Sequence, residues 1–242
     1  IEGSGASRSY VRAVGKLSAD LSGASAGAVN AANSAVAGAH GLSGDLTSQA
    51  VNPVIDAAGA SNASANLYGK ILAAYSGLET SKGLTLPEVL DAYNTNTLTD
   101  AEKLDLVSGA VAAQDDGVAL AAALGLADGA DVVAGLAAVA AAANGVADGG
   151  AGLTADQAAA LGLGTLSAAE LAALNAIIDE LPSGDVDSVA EIQALAAAVQ
   201  GVFDGAVGTA GEPTLADLEL LGVTGVTADN LAAVQDAIAA TA

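Results

Sequence analysis

The only imidazole in the chain is His40, in Gly38-Ala39-His40-Gly41. To act as a general base it would need a nucleophile and an orienting acid, and Ser43 and Asp45 are the neighbours of those types. Nothing in the sequence sets them against the ring, so the plainer reading is a histidine at a helix end or in a loop. Asp185-Val186-Asp187 with Glu191 offers carboxylates to a cation. A calcium loop of the EF-hand kind needs oxygens at several set positions and a Gly at the sixth, and this spacing fails. Helix capping by Asp187 or Ser188 accounts for those residues instead. Asp115-Asp116-Gly117 and Asp128-Gly129-Ala130-Asp131 are turn sequences beside helix starts, where calcium could be held weakly. No other cofactor is expected.

The remaining chemistry is sparse. The chain has no Cys, which excludes thiol nucleophiles, thiolate-bound metals and disulfides. Its glycines are scattered, with no Lys placed to complete a phosphate-binding loop. Without Trp, Tyr10, Tyr68, Tyr75 and Tyr93 are expected to anchor a core or an interface, and Phe203 to close a core. This inventory points away from catalysis, so no enzyme is expected.

Charge gives the next constraint. The net charge is −22, from 28 acidic and 6 basic residues. Such a chain repels nucleic acid and anionic membrane surfaces, and neither is expected as a partner. All six basic residues lie within the first 103 positions, whereas Leu104 to Ala242 holds nineteen acids and no Lys or Arg. The division reads either as drift in composition or as a basic segment docking on acidic surroundings, within one chain or on a neighbouring copy. For the last, Arg8, Arg12 and Lys16 are the candidate assembly contact. The longest apolar run, Val132 to Ala143, is too short to span a bilayer. The chain begins Ile1-Glu2-Gly3 without Met, as expected of a processed chain or a segment of a longer one.

Internal repetition defines the elements that carry these residues. Leu161-Gly162-Leu163-Gly164-Thr165-Leu166-Ser167 and the run that follows to Leu174 align without gaps on Leu221 to Val234, 60 positions on. A looser copy begins Leu124-Gly125-Leu126 with two extra residues in its turn, and a fainter one runs from Thr85 to Leu104. Thr99, Thr154, Ser167 and Ser188 each precede a Glu or Gln by three positions, the pattern of a capping box. Gly162 and Gly222 stand where a helix should stop. Leu171, Leu174 and Ile178 then share one helical face, as do Leu231, Val234 and Ile238. These signals predict helices over 154–162, 167–181, 188–203, 214–222 and 227–240. Upstream, Val11, Val14, Leu17 and Leu21 start an amphipathic stripe that Ala24, Ala28, Ala31 and Ala35 continue with small residues. Asn52-Pro53 and Gly77 punctuate the chain beyond it.

The stretch from Thr154 to Phe203, with its Leu-Gly turn and a closing helix opening Asp187-Ser188-Val189-Ala190-Glu191, resembles the GA-like three-helix modules of bacterial surface proteins. Residues 213–242 resemble Ala-rich repeats of very large bacterial adhesin-like proteins. Some GA modules bind serum albumin, but the basic and aromatic surface residues of such binders are missing here. The expected fold is all-α: tandem three-helix modules preceded by an Ala/Gly/Ser-rich helical region. The expected division is an assembly region at 1–80, a degenerate repeat region at 81–150, a three-helix module at 151–205 and a partial module at 206–242. The expected role is a structural subunit of a cell-surface or extracellular assembly, either filament or surface layer, acting as a homo-oligomer or polymer. A spacer or ligand-binding segment of a giant adhesin is the alternative.

Overall fold

The structure, a computed structural model, describes residues 26–44, 49–55, 61–93, 97–113, 117–150, 152–208 and 211–241. Those residues form eleven α-helices and one short 3-10 turn, with no strand among them. The chain divides into two units, Ile1–Leu136 and Ala137–Ala242.

In the first unit, helix α1 (Ala26–Ala39) is followed by α2 (Leu67–Ser81), α3 (Leu86–Tyr93), α4 (Asp100–Ala112) and α5 (Val118–Ala123). The core is built on α2 and α4. Asn66 starts α2 by accepting a hydrogen bond from the Gly69 amide at 2.9 Å. Thr99 and Glu102 start α4 with a reciprocal capping box. Ile71, Tyr75 and Leu78 of α2 are buried with Leu106, Val107 and Ala110 of α4. Glycine allows the two helices to approach closely: a Cβ on Gly77 would strike the Gly109 carbonyl, and one on Gly109 would strike the Ala74 carbonyl. Gly77 is thus a packing residue inside a helix, not the punctuation its sequence suggests. The helix also crosses position 80, the expected end of the first region.

The small-residue stripe needs a similar correction. Ala31 and Ala35 face solvent, and α1 instead buries Asn33, Val36 and Ala37, with His40 just beyond its end. Those spacings of 3, 4 and 7 define one helical face, rotated from the Ala stripe toward the bulkier Val36. Burying Val removes more apolar area than burying Ala, so that face wins. Val11, Val14, Leu17 and Leu21 lie outside the described residues, as does Tyr10.

Helix α6 (Gly129–Ala142) is followed by α7 (Ala155–Ala160), α8 (Ala168–Glu180), α9 (Val189–Val207), α10 (Leu215–Leu220) and α11 (Leu231–Ala239). The last five match the helices predicted from sequence, with two shifted ends. Helix α9 runs four residues further, to a left-handed cap at Gly208. Helix α11 starts four residues late, because Ala228, Asp229 and Asn230 form a turn. All four predicted capping boxes form, and Thr214 with Asp217 adds one that the sequence pattern missed. Helix α9 is central here, packing on α8, α10 and α11. No helix among the described residues is long and apolar enough to cross a membrane.

Candidate functional site

His40 sits at the end of α1, fully buried. Its Nδ1 lies 2.8 Å from the Val36 carbonyl oxygen, which fixes a proton on that nitrogen. Its Nε2 lies 2.7 Å from the Tyr75 hydroxyl, which is also 3.1 Å from the Tyr93 carbonyl oxygen. Burial holds the ring below its ordinary value of 6.5, against the opposing pull of the Val36 carbonyl. Burial likewise raises the Tyr75 phenol. Ser43 is exposed, and Asp45 lies outside the described residues. The histidine ties α1 to α2 and to the end of α3, and both ring nitrogens are engaged in doing so.

A second polar cluster went unseen in the sequence. Lys82 Nζ is 2.8 Å from Asp105 Oδ2, and the Tyr93 hydroxyl donates to the same oxygen at 2.7 Å. Burial alone would lower the Lys82 ammonium, but its hydrogen bonds to Asp105 and Tyr93 outweigh that and raise it. Burial, helped by Asp105, pushes the Tyr93 phenol up to about 12. The cluster joins three elements separated by 11 to 23 positions, beyond the reach of any local pattern. Tyr68, Tyr75 and Tyr93 are all buried, as expected of anchors.

Of the carboxylates singled out as cation ligands, Glu191 is engaged as a helix cap, and Asp128 serves through its backbone. Glu191 Oε2 accepts from the Ser188 amide at 2.9 Å and its hydroxyl at 2.8 Å. Asp128 takes a left-handed conformation, φ 55°, and its carbonyl accepts from the amides of Asp131 and Val132 at the start of α6. Asp115 and Asp116 lie outside the described residues. Asp179, which was not singled out, closes a loop by accepting from the Gly149 and Gly150 amides at 2.9 and 3.1 Å. The Gly149 bond is the main cause of its lowered pKa. Among the described residues no group of three or more acids or histidines is placed to hold a metal ion.

The most informative geometry lies in the repeat itself. Helices α7 and α10 have six residues each and begin with equivalent boxes, Thr154–Gln157 and Thr214–Asp217. Both end in the same turn. The Gly162 amide donates to Ala159 and the Leu163 amide to Ala158; 60 positions on, Gly222 donates to Glu219 and Val223 to Leu218. Gly162 and Gly222 have φ of 73° and 77°, a conformation that glycine takes without steric cost. Ser167 N donates to Glu170 and Thr227 N donates to Asn230, each at 2.6 Å. A clamp repeats as well: Asn175 holds the amide and carbonyl of Leu153, while Gln235 donates to the carbonyl of Pro213. Helix α5 ends in the same turn, through Gly125 and Leu126.

Burial separates the two copies. Leu161, Leu163, Leu174 and Ile178 are buried in the first. Helix α9 packs on this copy, and its Gln193 donates to the Leu161 carbonyl at 2.9 Å. The equivalents Leu221, Val234 and Ile238 are only half-buried, and Val223 is 41% exposed against 5% for Leu163. Between α9 and α11 an open groove of about 730 Å³ is lined by Val202, Phe203, Val234, Ala237 and Ile238, among others. Phe203, expected in a core, is instead a half-buried wall of this groove. Leu171 is also half-buried, unlike Leu174 and Ile178 on the same helix. Arg8, Arg12 and Lys16 lie outside the described residues. No family model, no curated protein and no solved structure matches the chain.

Proposed function

We propose that the chain is a non-enzymatic structural protein of a bacterial cell surface or extracellular assembly, of the filament or surface-layer kind. In this reading its second half is an array of GA-like three-helix modules, with α7, α8 and α9 as the complete one. The supporting observation is the pair of copies 60 residues apart, alike in caps, turn and clamp but unlike in cover. A repeat of this size cannot bury its apolar face alone and gains stability by stacking on a neighbour. An incompletely covered copy is therefore a natural point for self-association. Sedimentation of the purified chain over a wide concentration range, with and without calcium, tests the proposal. Mass should rise in steps of 22.8 kDa, and calcium should favour larger species by screening the acidic surface. A constant monomer mass would remove the assembly and leave the adhesin-spacer reading.

A further inference from the structure

We infer that the open groove between α9 and α11 is the seat for residues 8–21 of a second copy of this chain, which makes the association head-to-tail. The inference rests on the self-assembly reading above and names the partner and contact. The first copy shows what such a face accepts. There the covering helix, α9, buries Ile192, Leu195, Ala196 and Val199, at spacings of 3, 4 and 7 from the first. Residues 8–21 repeat that pattern, with Val14, Leu17, Ser18 and Leu21 at the same spacings and a small residue again at the third place. The groove offers the matching surface, with the apolar walls of Phe203, Val234 and Ile238 half-exposed.

Charge selects this segment over other Ala-rich stretches. From Val189 onward the chain carries only carboxylates as charged side chains. Asp229 and Asp236 are exposed and directly adjoin the lining residues Asn230 and Ala237. Arg8, Arg12 and Lys16 recur every four residues, which on a helix places them along one side, turned away from Val14, Leu17 and Leu21. Apolar burial would supply attraction, and the opposed charges would set direction and register. A heterologous contact of this kind propagates, because each copy offers both a segment and a groove.

The chain has no Cys, so engineered thiols report the contact cleanly. Full-length Val14→Cys chains would be mixed with full-length Ala237→Cys chains under mild oxidation. A disulfide-linked heterodimer is expected, while Val146→Cys, on an exposed site away from the groove, should trap Val14→Cys only at the collision background. Adding Arg8→Glu, Arg12→Glu and Lys16→Glu to the Val14→Cys chain should cut trapping at least about tenfold. Ile238→Glu, at a half-buried position, should abolish trapping with the helical circular dichroism unchanged. Two results overturn the inference. Trapping at Ala237→Cys no better than at Val146→Cys, in a chain that still polymerises, would move association to another surface and leave the proposed function standing. Closure of a single chain carrying both thiols at high dilution, with no heterodimer from the separate chains, would make the docking intramolecular. A chain that stays monomeric overturns this inference and the assembly reading together.

Discussion

The segments 153–178 and 213–238 have nearly the same local structure and quite different surroundings. Both start from a threonine box, turn at a left-handed glycine and pin a backbone carbonyl with an amide side chain. Both pack on α9, yet Leu161, Leu163, Leu174 and Ile178 are buried in the first and their counterparts in the second are not. Local geometry here is written in residues three to five apart, whereas burial depends on packing over longer separations. The two copies thus separate what a sequence specifies by itself from what it obtains by packing.

That contrast can be tested by paired substitutions. The largest difference is expected at the shared core position. Leu174→Asp would bury a carboxylate without a partner and cost at least about 3 kcal/mol, whereas Val234→Asp at the half-buried equivalent should cost about 1 kcal/mol. Leu171→Asp should fall between them. Chemical denaturation measures all three, and equal losses at 174 and 234 would mean that the second copy is as well packed as the first. Next come the clamps. Asn175→Ala frees two backbone groups and should cost about 1–3 kcal/mol, while Gln235→Ala frees one carbonyl and should cost about 1 kcal/mol or less. Caps should show no contrast. Thr154→Ala and Thr214→Ala should each cost about 1 kcal/mol, because capping is local in both copies. The smallest effect is an expected zero. His40 has a folded-state pKa below 6.5, so the unfolded chain binds more protons in that range. Its stabilisation is complete above about pH 6.5 and is lost as pH falls from there through the folded value. Hydrogen exchange at pH 7.5 and 5.5 should show loosening around Val36, His40 and Tyr75, with residues 137–242, which contain no histidine, unchanged.

Much of the second half was legible for the same reason that its caps are local. Hydroxyl-to-acid spacing of three and a glycine after the last leucine place helix ends within a few residues, and five helices appear where those signals put them. The misplaced start of α11 is instructive. Asn at position 230 bonds back to Thr227 as Glu170 does to Ser167, yet the chain makes a turn before the helix begins. Contacts across long separations left no such trace. Gly77 read as punctuation with no sign of its approach to Gly109, and nothing local linked Tyr93, read as an anchor of a core or interface, to Lys82 and Asp105. Periodicity also ranked Leu171 with Leu174 and Ile178, because spacing alone cannot say where the edge of a buried stripe falls. The groove was invisible in sequence, since its walls come from helices more than twenty residues apart.

Helix α9 serves two neighbours at once, as the cover of α8 and as one wall of the groove on α11. An element shared in this way couples α8 to α10 and α11 like links in a one-dimensional chain, where the stability of each part depends on the next. Unravelling by heat or by pulling should then begin at α10 and α11, where the apolar residues are least buried, and proceed inward. A partner docked as proposed would protect that end, so the proposed polymers would fray from their free tips.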